Sequence, residues 1–202
     1  MGVVLTHIIW SDWTKNLSTS TLVFNIAQFF LFLNHWFLTR IIHKAGLDTQ
    51  VVKFFSNYLI ERKTNYLWNN FPSPIFNINI GIGQGSALSL ILSALYLSPF
   101  LFILEKHLKN LNIPVSIISF VDDGLFISQN KSFDVSNSHL FYSYNVMTNL
   151  LDKFGLVVEF SRSHSSFNSP PLNLSSLGGP ILTSKNSWKY LGFIFDRKLT
   201  FY

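Results

Sequence analysis

Apolar and polar positions along the first half of the chain predict a strand and then helices. The stretch from Leu22 to Phe32 is predicted as a strand followed by a turn of helix, because Leu22 to Ile26 is apolar and β-prone around one polar position. Apolar residues spaced by three and four predict helices over Trp36 to Ala45 and over Thr49 to Ile60. Gly46 stands where a helix commonly ends.

The pattern of the remaining chain predicts hairpins and two longer helices. In chain order these elements are a hairpin of Thr64 to Trp68 with Ile75 to Ile80, a helix from Ala87 to Leu111 that Pro99 could kink, a hairpin of Val115 to Val121 with Leu125 to Ser128, a helix from Ser136 to Phe154 closed by Gly155, and a strand from Leu156 to Phe160. The glycine-rich stretch Gly81 to Ser86 precedes the first of these helices, and the turn Asp122 to Gly124 joins the second pair of strands.

The end of the chain changes composition twice. Residues 161–187 are rich in Ser, Asn, Pro and Gly and are predicted as loop, whereas Trp188 to Phe201 predicts a terminal pair of strands. Strands and helices follow one another without strict βαβ alternation. The predicted fold class is therefore α+β, with helices packed on one face of an antiparallel sheet.

Composition excludes several classes of protein. Of the 202 residues 48% are hydrophobic, 16% aromatic and only 12% charged, which excludes an intrinsically disordered chain or a coiled coil. There is no cysteine, so a disulfide scaffold and a zinc finger are excluded as well. The net charge of +5 favours anionic partners such as nucleic acid, although a mildly basic protein without such a partner has the same balance.

A membrane protein is a less favoured alternative. No charged residue lies between Lys63 and Glu105, and the segment from Ala87 to Leu104 has about the length of a membrane span. Several serines and Pro99 interrupt this segment, and no polybasic flank sets an orientation. The first thirteen residues lack the pattern of a signal peptide.

The adjacent acids Asp122 and Asp123 are the most informative candidates for chemistry. The chain has only ten Asp and Glu residues, and these two stand together between apolar strands. Like charges side by side repel, and a divalent cation with its preference for hard oxygen ligands would resolve that repulsion. The alternative from the residues alone is that the sequence Asp123-Gly124 merely forms a tight hairpin turn.

Three motifs together resemble a known enzyme family. The residues Phe120 to Asp123 resemble the aromatic-x-Asp-Asp motif of reverse transcriptases, specifically of the palm domain carried by non-LTR (LINE-like) retroelements. Gly83 to Ser86, continued to Ser89, resembles the Gln-Gly-Ser motif of that family, and Trp188 to Gly192 followed by Asp196 to Phe201 resembles its primer-grip region. Each motif alone is weakly specific, but all three occur in the family's order.

The resemblance implies a fold and a division of the chain. It implies a polymerase palm-type antiparallel sheet, with the fingers and thumb largely missing. Residues 1–18 would be a remnant of the fingers region, 19–160 the palm, 161–187 a loop, and 188–202 the start of the palm–thumb junction.

The same resemblance implies roles for residues at a metal site and a nucleotide site. Asp122 and Asp123 would bind two Mg²⁺ ions, together with an aspartate whose position is held here by Asn25. Phe30 falls where an aromatic side chain lies under the sugar of the incoming nucleotide. The nucleotide- or template-binding turn would consist of Gly83, Gln84 and Gly85, and the primer-binding segment of Lys189, Tyr190, Leu191 and Gly192.

Alternatives remain for two of these groups. The glycines could form an ordinary turn before a helix with Ser86 as its N-cap. The cations Lys185, Lys189, Arg197 and Lys198 could contact primer phosphates or simply form a solvated basic face, and Tyr190 is a candidate core residue as well.

The function implied by the resemblance is RNA-directed DNA polymerisation, with an RNA template, a DNA primer and deoxynucleoside triphosphates as partners. We expect this activity to be severely impaired, because Asn25 offers an oxygen without a charge. Leu90 in place of a proline, and the lack of a lysine directly after Glu159, depart from the family pattern in the same direction. The alternatives are a noncatalytic nucleic-acid-binding remnant and a degenerate fragment that does not fold stably. A retroelement protein would act inside the cell, in the nucleus or the cytoplasm.

Overall fold

The structure is a computed structural model that describes residues 2–60, 62–159, 164–166 and 187–196. The described elements, in chain order, are α1 (Gly2–Thr14), β1 (Ser18–Ile26), α2 (Phe29–Phe32), α3 (His35–Lys44), α4 (Thr49–Leu59), β2 (Arg62–Thr64), β3 (Leu67–Trp68), β4 (Phe71–Pro72), β5 (Phe76–Ile78), α5 (Ala87–Asn110), β6 (Val115–Phe120), β7 (Asp123–Asn130), α6 (Phe133–Asp152), β8 (Val158–Glu159), β9 (His164–Ser166), β10 (Ser187–Tyr190) and β11 (Phe193–Asp196). The chain divides into two units, which we call the sheet unit (Met1–Ala27 and Phe100–Tyr202) and the helix–hairpin unit (Gln28–Pro99).

The sheet unit is built on an antiparallel sheet with β1 near its centre. The strand order is β6-β7-β1-β8, and β9 pairs with β1 as well. β1 is almost wholly buried, including the Ser and Thr residues of its first half, as expected for a strand covered on both sides. The pairing of Asn25 with Asp123 and of Ser18 with Asn130 sets its register against β7.

The two faces of this sheet are covered by different elements. On one face Val23, Leu125 and Ile127 form an apolar cluster with Leu5 and Ile9 of α1, and residues of the β10–β11 hairpin join it. The other face carries Phe24 and Phe126, whose ring centroids are 4.9 Å apart. α6 packs against β1 and β7, and we assign it to this face because α1 covers the first one.

The described part of the helix–hairpin unit holds the short helices α2, α3 and α4, the first half of α5 and two small hairpins. α3 and α4 pack together, and each buries one apolar stripe. β2 pairs with β5, and β3 pairs with β4 inside the loop between them. The ring of Tyr96, which is fully buried, contacts Phe29 and Phe37 edge-on.

The α+β class with an antiparallel sheet is confirmed. Most predicted helices and strands are present within two or three residues of their predicted ends, and Gly46 and Gly155 follow α3 and α6 with positive φ. Pro99 does not divide α5. The predicted pairing of Thr64–Trp68 with Ile75–Ile80 is present only in part: Thr64 pairs with Phe76, whereas Leu67 and Trp68 pair with Pro72 and Phe71 in an inner hairpin.

Two regions differ from the sequence predictions. Gly2–Thr14 forms a helix, for which no element was predicted, and its Leu5 and Ile9 are fully buried. His164–Ser166, inside the predicted loop 161–187, pairs with Ser20–Leu22 of β1. β8 pairs only with Asn25 and Ile26, so the backbone of β1 before them is available on that edge. The rest of the predicted loop and the predicted strand residues beyond Asp196, among them Arg197 and Lys198, lie outside the described residues.

Helix α5 bears on the membrane alternative. Among the described residues it alone is long and apolar enough to cross a membrane, with a mean hydropathy of 2.2 in its most apolar window. One such helix is weak evidence, because the core helix of a soluble protein meets the same criterion. Leu92, Tyr96, Phe100 and Leu104 of α5 are indeed buried at fourfold spacing.

Candidate active site

The tip of the β6–β7 hairpin carries the acid pair. Phe120 pairs with Asp123, so the two-residue turn consists of Val121 and Asp122. The predicted turn, Asp122 to Gly124, is therefore displaced: Asp123 and Gly124 belong to β7. Val121 has a φ of 60°, a strained conformation for a β-branched residue.

Gly124 is explained by packing instead of turn geometry. It lies opposite Phe24 in the register of β1 and β7, and a Cβ atom at this position would overlap the Phe24 ring. The missing side chain lets this ring pack over the strand directly behind the acid pair.

Asn25 lies in the sheet between two acidic residues. It is directly opposite Asp123 on β7 and directly opposite Glu159 on β8. Residues opposite one another in an antiparallel sheet project to the same face, so the three side chains share one face. The Oδ1 atom of Asn25 is buried and has no hydrogen-bond partner.

The electrostatics of the pair favour an external positive charge. Burial raises the pKa of the Asp123 carboxyl above its usual range, and the neighbouring charge of Asp122 raises it further. A cation would reverse both effects, because it favours the ionised form of each carboxylate.

The residues present fit a Mg²⁺ ion as a set of hard oxygen donors. Asp122 and Asp123 supply carboxylates, and Asn25 supplies an amide oxygen that lacks a partner. Within the described parts of the chain, no three acidic or histidine side chains lie close enough together to hold a metal ion by themselves. Glu159 is paired with Asn25 in the sheet, but it does not form a group of three metal-binding side chains with Asp122 and Asp123.

Tyr190 is located under the acid pair and not on the surface. Only 3% of its side chain is exposed, it belongs to the apolar cluster with Leu5 and Val23, and its hydroxyl has no hydrogen-bond partner. Burial, with a smaller effect from the charge of Asp123, raises the pKa of Tyr190 to about 12. A side chain buried in this way supports the hairpin, so direct contact of its ring with a primer is not accessible in this conformation.

The remaining primer-segment residues form the tip of the β10–β11 hairpin. Leu191 and Gly192 make its turn with φ of 48° and 87°, and Lys189 lies opposite Ile194. The primer-binding role of Lys189, Leu191 and Gly192 stays a prediction.

The nucleotide-site candidates lie together in the helix–hairpin unit. The carbonyl oxygen of Phe30 accepts a 2.8 Å hydrogen bond from the amide of Ile82, next to Gly83. Gly83 and the exposed Gln84 line a cavity of about 420 Å³ together with Leu31 and other residues of this unit. The backbone therefore joins two segments that are more than fifty residues apart in the sequence.

The glycine-rich turn has a tightly held first residue. Gly81 has a φ of 80°, and a Cβ atom there would lie 2.9 Å from the carbonyl oxygen of Leu31, so only glycine is accommodated. The Gly81 carbonyl oxygen is bound by Arg62 at 3.0 Å and by His35 Nε2 at 2.6 Å. Sequence reasoning did not assign Arg62, since its partner is a backbone atom nineteen residues away.

The end of the same turn begins α5. Gly85 has a φ of 95°, and the amide of Leu88 donates to the hydroxyl of Ser86 at 3.3 Å, as in an N-cap. Ser86 therefore acts as the N-cap of α5, and this structural role does not conflict with a functional role for Gln84.

The comparisons with known proteins agree with this description. The family model described as reverse transcriptase (RNA-dependent DNA polymerase) matches residues 7–195, nearly the whole chain. The chain belongs to the reverse transcriptase family. This membership supports a polymerase-like function; it does not distinguish non-LTR elements from other members. No curated protein matches.

Solved structures of telomerase from Candida tropicalis show the same fold. The apo enzyme truncated from its C-terminal domain has a TM-score of 0.63 at 16% identity and is similar over 96% of this chain and 37% of that one. The complex with a TWJ fragment of telomeric RNA has a TM-score of 0.67 at 14% identity, and the similarity covers 97% of this chain and 32% of that one. The apo enzyme has a TM-score of 0.63 at 16% identity, and the similarity covers 99% of this chain and 35% of that one. The chain thus spans about a third of the length of these telomerases.

Proposed function

We propose that this chain is the palm portion of an RNA-directed DNA polymerase of non-LTR type whose nucleotidyl transfer is severely impaired. The observation that carries the proposal is the position of Asn25: it pairs directly with Asp123, on the same face, and presents a buried oxygen without a partner. The third metal-binding carboxylate of the family would stand at this point. An amide at this point retains an oxygen that can bind a metal ion but lacks the negative charge of a carboxylate.

Each candidate residue has a part in the proposed reaction. Asp122 and Asp123 would hold Mg²⁺, which when bound supplies charge neutralisation for phosphoryl transfer. Asn25 would contribute to holding the ion through its amide oxygen only, without a negative charge. In the other unit Phe30 would support the sugar of the nucleotide, and Gln84 would contact the nucleotide or template from the rim of the cavity that it lines.

The proposed partners are an RNA template, a DNA primer and deoxynucleoside triphosphates. Family membership and the basic net charge of +5 support nucleic acid as the partner, and one similar telomerase is a complex with telomeric RNA. An intracellular location, nuclear or cytoplasmic, accompanies this function.

A second candidate function is nucleic-acid binding without catalysis. The neutral Asn25 favours it, because the loss of one charged ligand weakens metal binding and leaves the basic surface unchanged.

Primer extension on an RNA template tests the proposal. We expect only trace extension by the natural chain with Mg²⁺, and an increase of about 10²-fold or more for Asn25→Asp, since a charged metal ligand is worth several kcal/mol in the transition state. Asn110→Asp, which adds the same charge at an exposed helix end, is the matched control and should change nothing.

Metal binding gives an independent readout. Mg²⁺ should raise the melting temperature of Asn25→Asp more than that of the natural chain, and Asp123→Asn should reduce this rise in both. Robust extension by the natural chain that Asp122→Ala abolishes would contradict the impairment. Salt-dependent RNA binding without extension by Asn25→Asp would favour the second candidate.

A further inference from the structure

The inner hairpin of the helix–hairpin unit presents aromatic rings to solvent. Tyr66, Trp68 and Phe71 are 70%, 77% and 78% exposed, although aromatic side chains normally bury most of their surface. We call these three side chains the aromatic platform.

The register places the whole platform on one face of the hairpin. Trp68 pairs with Phe71 across a two-residue turn, Asn69 and Asn70, both of which have positive φ. Tyr66 lies two residues before Trp68, and its backbone is hydrogen-bonded to that of Ser73 at 2.8 Å. Alternate strand residues share a face, so Tyr66 and Trp68 project together, and Phe71 projects beside Trp68.

The geometry suits a single strand of nucleic acid. Residues i and i+2 of a strand are about 6.6 Å apart, which leaves room for successive bases to spread over successive rings. Base stacking on aromatic side chains tolerates any sequence, since every base has a π face.

The charges around the platform match the same ligand. Lys63 lies at the base of the hairpin on β2, next to Arg62, whose guanidinium is bound to the Gly81 carbonyl oxygen. The sequence contains no Asp or Glu from residue 62 to residue 104. A single-stranded nucleic acid needs both features, rings for the bases and cations for the phosphates.

We infer that the aromatic platform is a binding surface for single-stranded nucleic acid, separate from the acid pair and from the glycine-rich turn. This inference rests on the proposed function in so far as the partner is nucleic acid. It assigns a role to side chains that the sequence motifs of the family do not include.

Fluorescence anisotropy with the full chain and a labelled oligouridylate of about 20 nucleotides tests the inference. Trp68→Ala should weaken binding about fivefold or more, the low end of what one base–aromatic stack contributes. Leu67→Ala is the matched control, because Leu67 is 70% exposed on the opposite face of the same strand, and its affinity should stay within about twofold.

A second pair of variants separates stacking from general apolar contact. Trp68→Phe should retain most of the affinity because it keeps a π face, whereas Trp68→Leu should lose it as Trp68→Ala does. The inference would be overturned if all three Trp68 variants bound with the same affinity as one another, or if Leu67→Ala weakened binding as much as Trp68→Ala does.

The remaining outcomes distinguish this inference from the proposed function. If the natural chain binds RNA and Trp68→Ala does not alter the affinity, the platform is wrong and the proposed function stands. If the natural chain binds neither single-stranded RNA nor an RNA–DNA duplex, both are wrong. A self-association, measured by sedimentation equilibrium, that Trp68→Ala removes while RNA affinity is unchanged would assign the surface to a second copy of the chain and overturn the inference.

Discussion

At the scale of single residues, the neighbourhood of Asp123 combines several groups whose charge or hydrogen-bonding capacity is uncompensated. Asp122 is adjacent to it, the Asn25 oxygen lacks a donor, and the Tyr190 hydroxyl is buried without a partner. Unpaired buried polar groups cost free energy, and such costs are retained mainly at functional sites. This residue pattern is consistent with a site built for a ligand.

The hydroxyl of Tyr190 gives a pH-dependent prediction. The pKa of Tyr190 is about 12 in the folded chain and near 10 in the unfolded chain, so its contribution to stability is complete below pH 10 and is lost as the pH rises from 10 towards 12. Tyr190→Phe should lose less stability over this range than the natural chain. At pH 7 it should be neutral or up to about 1 kcal/mol more stable, because an unpartnered hydroxyl leaves the core.

Urea denaturation at pH 7 and at about pH 11 measures both effects. Tyr66→Phe, at a tyrosine that is 70% exposed, is the control and should follow the natural chain at both values. An alkaline loss in Tyr190→Phe as large as that of the natural chain would show that Tyr190 is not the group responsible.

At the scale of elements, a buried carboxylate attaches α1 to the sheet. Asp12 is 2% exposed and accepts hydrogen bonds from the Thr19 hydroxyl at 2.6 Å and from the Gln129 amide at 2.7 Å. These partners lie on β1 and β7, so one side chain joins three elements. The apolar contacts of Leu5 and Ile9 complete the attachment.

Replacement of Asp12 should therefore be costly. Asp12→Ala removes the acceptor of the buried Thr19 hydroxyl and of the half-buried Gln129 amide, and we expect a loss of about 2–3 kcal/mol in the free energy of unfolding. Asp152→Ala, at an exposed aspartate at the end of α6, should cost less than about 0.5 kcal/mol. Equal effects of the two substitutions in urea denaturation would contradict the role of Asp12 as an anchor.

At the scale of the whole molecule, the chain leaves much apolar surface exposed. Phe102 and Ile103 on α5 are 67% and 51% exposed, beside the buried Leu104. Contiguous exposed apolar groups favour association and aggregation. The composition of 48% hydrophobic residues is thus only partly accommodated in the core of the described residues.

A double substitution on the exposed face of α5 tests this interpretation. Phe102→Gln with Ile103→Gln should increase the fraction of soluble monomer in size-exclusion chromatography without lowering the melting temperature. Leu104→Gln, which introduces an amide at a residue that is 1% exposed, should instead destabilise the fold by about 2 kcal/mol or more. A loss of stability in the double variant comparable to that of Leu104→Gln would show that Phe102 and Ile103 belong to a core.

Much of the local structure could be predicted because it depends on neighbours in the sequence. Threefold and fourfold apolar spacing identified α3 and α4, the apolar run after the glycine-rich turn identified α5, and glycines with positive φ marked the ends of α3 and α6. The Asp122–Asp123 pair and the glycine-rich turn were found in the same way, as short motifs. The hairpin turn was predicted too far along the chain, because Asp-Gly is a favoured turn pair. Gly124 is instead needed to leave room for the Phe24 ring, and this requirement cannot be predicted from the local sequence.

The sequence by itself determined the fold class and the acid pair, since these follow from composition, periodicity and short motifs, and it indicated the family by the resemblance of three motifs in order. Only the tertiary structure decided the contacts themselves: the register that sets Asn25 opposite both Asp123 and Glu159, the hydrogen bond between Asp12 and Gln129, and the apolar cluster that Tyr190 joins. The physical reason is that strand register depends on the simultaneous packing of both sheet faces. A single residue of displacement would turn Asn25 away from Asp123, and no local pattern specifies that choice.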